Sequence, residues 1–305
     1  MTKGKRLVAA ALLLPAALAV YGIFQRLHPA PVTAEPVAGS TKVVETTNYA
    51  ITSTATEPQT KLVADAVESL HARYLAFFAN AIRIAPNRKR LLLTLYKDQD
   101  EFKEHNKGSS WAEAYYLPPV CHAYFAGGEG NPYHWMVHEA THQLNHEVAH
   151  LPRSTWIGEG LATYFGTSLI RDGNLIPGKL DVDTYPIWWL SKLSLSGDLQ
   201  RDIRSGKIID LRALISGVGG PSADEKVNAR YIGYWSLTHF LFHFENGRYA
   251  DRYRQLITVG GSIEQFERTF GPIDRIQGEW YAYLRGQVAL TKIEKIAKGV
   301  ASGMR

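Results

Sequence analysis

The run His138-Glu139-Ala140-Thr141-His142 places two imidazoles four residues apart, with a carboxylate directly after the first. Four residues on an α-helix advance about 6 Å and about 400°, so both rings project from nearly the same face. They can reach one Zn2+ ion at about 2.0–2.1 Å. Glu139, next to the first ligand, can act as general base toward a water activated by that ion. The chemistry this pattern serves is metal-assisted hydrolysis. Register has to be argued, because His134, His138, His142, His146 and His150 all fall at spacings of four. One ion cannot serve the whole stripe, since His134 and His142 stand about 12 Å apart along a helix axis. Only the 138/142 pair has a carboxylate after its first histidine; Trp135 follows His134 and Gln143 follows His142. The metal pair is therefore His138 and His142. The other histidines read as cleft-lining or surface residues, with His134 the one expected to face substrate or stand behind the ligands.

A hydrolytic zinc site needs a third protein ligand. Glu159, 17 residues after His142, lies in Trp156-Ile157-Gly158-Glu159-Gly160-Leu161-Ala162-Thr163-Tyr164-Phe165 on a second expected helix. Gly158 and Gly160 are expected to let the two helices approach closely enough to share a metal. Near a helix N-terminus, Glu159 also reads as a carboxylate favoured by the macrodipole. With the His-Glu pair upstream, the ligand reading is preferred. The single cysteine, Cys121, rules out an intrachain disulfide and reads as a small buried apolar residue, with a metal-touching thiol as the alternative. There is no G-x-S-x-G elbow, and Cys121 lacks a local catalytic signature.

These residues need a scaffold. Alternating, β-branched YAITSTAT (49–56) predicts a first strand, and apolar residues at helical spacing over 59–83 predict a long amphipathic helix. LLLTLY (91–96) reads as a buried strand, 98–104 as a short helix, and AYYL (114–117) and HAYFA (122–126) as strands. Pro132 suits the start of a helix running to about Glu147, and Pro152 opens another reaching about Ile170. Further helices are expected over 184–216, 231–245, 248–258, 262–269 and 273–290, with Asn246-Gly247 closing the second of these. Strands early and helices late argue for an α+β arrangement.

The 305 residues suffice for a sizeable core. Net charge is +5, but three cations (Lys3, Lys5, Arg6) sit at the N-terminus and four (Lys292, Lys295, Lys298, Arg305) at the other end. The body is nearly balanced, which excludes a nucleic-acid footprint there. After MTKGKR, Leu7 to Phe24 is an 18-residue uncharged run. It reads as a cleaved secretory signal, with Ala17-Leu18-Ala19 as the site, or as a retained anchor at the short end of the roughly 17–25 residues that span a bilayer. Either places the body outside the cytoplasm, in the periplasm or beyond, with membrane contact only through this segment. The expected organisation is a signal or anchor over 1–27, a flexible linker over 28–47, a catalytic domain over 48–290 and a basic tail over 291–305.

HEATHQL followed by WIGEGLATYF resembles the gluzincins, the metallopeptidases with an HExxH motif and a ligand Glu that include thermolysin-like enzymes and alanyl aminopeptidases. The chain is most similar to the bacterial peptidase MA-like group, known largely as a domain of unknown function. There, strands like YAITS and LLLTLY precede HExxHQL, EGLAxYF and a Y-x-x-x-W-x-L-x-H-F-L helix in that order, here covering roughly residues 48–290. The resemblance implies a zincin-like fold: a small mixed sheet with the active-site helix in the N-terminal half and a mainly helical C-terminal half. It also implies a peptide or protein substrate. It nominates Tyr231, at the Tyr of a Y-x-x-G pattern, as donor to the oxyanion. Tyr234 stands where the family often has a small residue, so Tyr231, Tyr234 and a core role remain open; His239, two turns on, reads as structural. Related sequences often carry an acid four residues after the ligand Glu. Here that position is Thr163, whose hydroxyl would hold a ligand histidine less firmly, so weaker zinc retention is expected. HAYFA is the candidate edge strand for pairing with an extended substrate, beside an ordinary sheet role.

Two other functions compete with a zinc peptidase. One is a non-catalytic peptide-binding module of the cell envelope, which would not need Glu139. The other is a membrane-tethered scaffold with a purely structural metal, which would need a fourth protein ligand that no cysteine is placed to supply.

Overall fold

The computed structural model describes residues 41–82, 89–106, 112–218 and 226–303, with side chains to residue 298. The expected signal or anchor and most of the linker lie outside these residues. Among the described residues, no helix is long and apolar enough to cross a membrane.

The end of the expected linker is a strand. β1 (Lys42–Glu45) pairs antiparallel with β2 (Tyr49–Ser53), whose alternation buries Tyr49, Ile51 and Ser53. Thr56 then starts α1 (Glu57–Phe78), where the Gln59 side chain accepts from the Thr56 N–H at 3.0 Å, half of a capping box. β3 (Leu91–Tyr96) runs parallel to β2. It is not buried on both faces: Leu91, Leu93 and Leu95 point into the core while Leu92 is exposed. α2 (Gln99–His105), capped by Asp98, lays Phe102 against Tyr96 and Tyr124 on the far face of the sheet. β4 (Ala114–Leu117) and β5 (Val120–Tyr124) complete a mixed sheet of order β1-β2-β3-β5-β4, in which β1 and β4 are antiparallel to their neighbours. The strand holding HAYFA is therefore internal, and the free edge belongs to β4. Cys121 is fully buried in β5, and burial pushes its thiol up.

α3 (His134–Gln143) lies on β4 and β5 and continues as a wider π turn over Leu144–Val148. α4 (Thr155–Gly166) packs against α3. The second helix ends four residues earlier than its apolar pattern predicts, because Ser168 begins a hairpin. β6 (Ser168–Arg171) and β7 (Asn174–Leu180) are joined by Asp172-Gly173, both at positive φ (52° and 72°). That is the two-residue turn Asp-Gly favours.

Three short helices follow: α5 (Ile187–Leu190), α6 (Leu199–Arg204) and α7 (Leu211–Ser216). α8 (Val227–His243) crosses α4, and α9 (Ala250–Val259), α10 (Ile263–Phe270) and α11 (Ile273–Gly303) close the helical half. The expected basic tail is, through Gly303, the last part of α11. The architecture is mixed α+β, with its five-stranded sheet in the N-terminal half and helices dominating the C-terminal half.

Candidate metal centre

The helical spacing of His138 and His142 does what the pattern requires. Their Nε2 atoms face each other at 3.3 Å. Glu159, from the first turns of α4, brings Oε2 to 3.5 Å from the His138 nitrogen and 3.7 Å from that of His142. Ligand atoms about 2.0–2.1 Å from a tetrahedral ion stand about 3.3–3.4 Å from one another, close to these spacings. The point equidistant from all three atoms lies about 2.0 Å from each. Glu159 Oε2 is buried and makes no hydrogen bond. A buried carboxylate oxygen without a partner is costly unless a cation completes it. The donor set therefore fits a metal ion, and these three side chains form the one such group among the described residues.

The electrostatics agree. Burial alone would raise the Glu159 carboxyl, but the two imidazoles it faces, His142 foremost, hold it well below the usual carboxylate range. Burial likewise works against the His142 imidazolium, yet Glu159 and Glu139 overcome it and lift its pKa to about 9. The cluster attracts positive charge before any ion is considered. Glu139 is buried beside the pair, and burial raises its carboxyl despite the opposing histidines. The Tyr116 backbone N–H opposes that rise, and β4, which carries Tyr116 at the edge of the sheet, packs beside the helix that holds Glu139.

The close approach of α3 and α4 depends on a glycine other than the expected pair. A Cβ on Gly166 would stand 3.3 Å from the His138 Cβ and 3.5 Å from the His134 carbonyl. Gly160 instead faces α8, where a Cβ would collide with Thr238 and stand 3.2 Å from the Tyr234 carbonyl. Gly158 borders the His142 ring at ordinary contact distance. The glycines of this motif thus seat α4 between two helices rather than against one.

Tyr231 and Tyr234 both lie near the cluster, their rings 6.1 Å apart, and the charge of Glu159 acts on both phenols. Tyr231 sets its ring 6.3 Å from that of His138. Burial and the charges of Glu159 and Glu139 raise its phenol, so it remains a protonated donor. Tyr234 is buried, and burial raises its phenol against the opposing influence of Arg230. His239 is structural, bonded to Tyr283 at 2.7 Å and to the Gly178 carbonyl at 3.0 Å.

Thr163 and His134 both bond to nearby backbone carbonyls. The Thr163 hydroxyl donates into its own helix, to the carbonyls of Glu159 (2.6 Å) and Gly160 (3.1 Å), and not toward a ligand ring. A threonine in a helix bonds back to the preceding turn whenever that turn is nearer than a partner. His134 does not line the cleft: it is buried, its Nδ1 lies 2.8 Å from the Asn131 carbonyl, and its ring packs on Trp135 and Trp188. Burial lowers its pKa to about 4.

One site residue was missed. Tyr185 packs 5.4 Å from the Tyr231 ring and against Trp135 and Trp188; burial, then the Glu159 charge, raises its phenol. The dense aromatic run Tyr185-Pro186-Ile187-Trp188-Trp189 was the available signal. No protein-family model matches the chain, and no curated protein does.

Proposed function

We propose that the chain is a zinc-dependent metallopeptidase of gluzincin type, acting outside the cytoplasm. The observation that carries this reading is the convergence of His138, His142 and Glu159 from two helices at zinc-like spacings, around an unpartnered carboxylate oxygen. Two nitrogens and one oxygen suit Zn2+ and leave a fourth position open for reaction. The mixed sheet, with antiparallel β4 at its edge beside α3 and α4, is the arrangement expected of a zincin-like fold.

Held by His138, His142 and Glu159, a Zn2+ ion would supply Lewis acidity toward a carbonyl and toward water. Glu139 takes the proton from the attacking water and returns it to the leaving amine. Its raised pKa brings it nearer to working pH, as a general base needs. Tyr231 donates its O–H to the oxygen on which charge develops. An extended peptide can lie along the free edge of β4 and reach the cleft beside Glu139. A peptide-holding module would use the three ligands but would have no need of a buried carboxylate aimed into the cleft.

Glu139→Gln in the full chain tests the proposal. It is expected to retain zinc and lose about 10²–10⁴-fold in peptide hydrolysis. If wild type and variant both bind zinc and neither cuts a broad peptide library, the protein is a binding module.

A further inference from the structure

The last turns of α11 wear their amphipathicity inside out. Thr291 is buried against the body, and three lysines on that side are engaged by the preceding segment. Lys292 donates to the Leu193 carbonyl at 3.0 Å, Lys295 lies 3.5 Å from the Trp188 carbonyl, and Lys298 pairs with Asp183. The opposite face is apolar and open. Leu290, Ile293 and Ile296 are 54%, 63% and 68% exposed. Ala282, Gly286 and Ala289 continue the same face toward the N-terminus, all exposed, with nothing within reach of a Cβ on Gly286.

The spacing is that of a helix-pairing seam. Positions 282, 286, 289, 293 and 296 alternate steps of four and three, the a/d rhythm of a coiled coil. The sizes along the seam are graded, small in the first half and large in the second. In a parallel pair each position meets itself, leaving a gap at Gly286 and crowding at Ile293. In an antiparallel pair centred near residue 291, Gly286 meets Ile296 of the other copy and Ala289 meets Ile293. Every such layer then holds one small and one large side chain, the arrangement that fills an interface evenly. Leu290 lies on the flank and meets Leu290 of the other copy across the two-fold axis. Lys292 would face itself on the other flank, but its ammonium is already drawn back to Leu193.

From this we infer that two copies of the chain associate through an antiparallel pairing of their α11 helices over residues 286–296. A C2 contact requires a self-complementary surface, and this seam is complementary to itself only when reversed. A bilayer suits the face less well. Membrane-surface helices present cations to lipid headgroups, whereas Lys292, Lys295 and Lys298 lie away from the apolar face, engaged by Leu193, Trp188 and Asp183.

Cysteine cross-linking of the full chain tests this. The native Cys121 is fully buried, so new cysteines report alone. Leu290→Cys is expected to oxidise efficiently to a disulfide-linked dimer. Ile296→Cys by itself should cross-link at least about tenfold less, because the two sites lie about 15 Å apart along an antiparallel pair, beyond disulfide reach. Mixing Ile296→Cys with Gly286→Cys should restore the dimer, and Ile293→Glu should shift the chain from twice its mass to one in sedimentation. All are exposed positions, so circular dichroism should be unchanged. Equal cross-linking by Leu290→Cys and Ile296→Cys would mean a parallel pair and overturn the inference. So would a wild-type chain that sediments as a monomer, or one that binds anionic phosphatidylglycerol vesicles through this face without cross-linking.

Discussion

Two histidine-carboxylate clusters lie within two turns of each other, and only one of the two groups its ligand atoms so that they could hold a metal ion. In the first, His138 and His142 meet Glu159 from a neighbouring helix; the cluster is largely buried and Glu159 Oε2 is left without a hydrogen bond. In the second, His146 and Glu147 are adjacent in sequence and half exposed. There the groups bond to one another. Tyr116 donates to Glu147 at 2.6 Å, His146 Nδ1 lies 3.1 Å from the same oxygen, and His150 Nδ1 lies 3.0 Å from the His146 carbonyl. Histidines at helical spacing are thus not enough. A site arises where a second element delivers a carboxylate and the protein leaves that carboxylate unsatisfied.

Breaking the buried cluster should have the largest effect. Glu159→Ala is expected to lower zinc affinity more than about 100-fold, since losing an outer partner alone costs about 10–100-fold. Chelator competition measures this, and affinity within tenfold of wild type would return Glu159 to the role of a helix-terminal carboxylate. Next in size is the phenol beside the cluster. Tyr231→Phe should reduce kcat about 10²–10³-fold with zinc content unchanged. Tyr234→Phe should leave kcat near wild type and cost about 1 kcal/mol of stability through loss of its buried hydroxyl. Equal losses of kcat from the two variants would erase the distinction between a cleft and a core tyrosine.

Thr163→Val probes the ground behind the ligands. It should cost about 1 kcal/mol in urea unfolding and leave the rate of zinc loss unchanged, because the hydroxyl bonds its own helix. Faster zinc loss would show that the hydroxyl steadies a ligand ring. The exposed cluster should matter least. Glu147→Gln should leave zinc binding intact and change stability at neutral pH by no more than about 0.5 kcal/mol. Tyr116 and His146 hold the Glu147 carboxyl below its ordinary value. Its contribution is therefore complete above the unfolded carboxylate pKa of about 4.3 and is lost as pH falls through the lowered value. The gap in melting temperature between wild type and variant should close on acidification, and a gap that widened instead would contradict the assignment.

Local pattern was enough for a good part of this protein. The i,i+4 geometry of His138 and His142, with Glu139 between them, follows from helical periodicity alone. The strands at 49–53, expected to reach 56, and at 91–96 were legible from alternation and a short apolar run, and the long helices from helical spacing, because each pattern is a property of the segment. The choice of Glu159 also came from its motif, and the spacing of the three ligand atoms supports it. Asp172-Gly173 carried a legible hairpin signal, but the apolar run Leu161–Ile170 continued the helical pattern across it.

The remainder required the chain to be folded. Which strand is the edge depends on the order β3-β5-β4, which nothing in HAYFA specifies. Tyr231 comes beside the His138 ring because α8 crosses α4 at Gly160, and the rotation of a helix about its axis is set by its neighbours. Thr163, His134 and Tyr185 found their partners the same way, from distances between elements far apart in sequence. Residue types and spacing thus determined which groups could hold a metal. The packing of α3 on α4 decided that three of them meet, because only helices brought within contact distance can set two imidazoles and a carboxylate around one point.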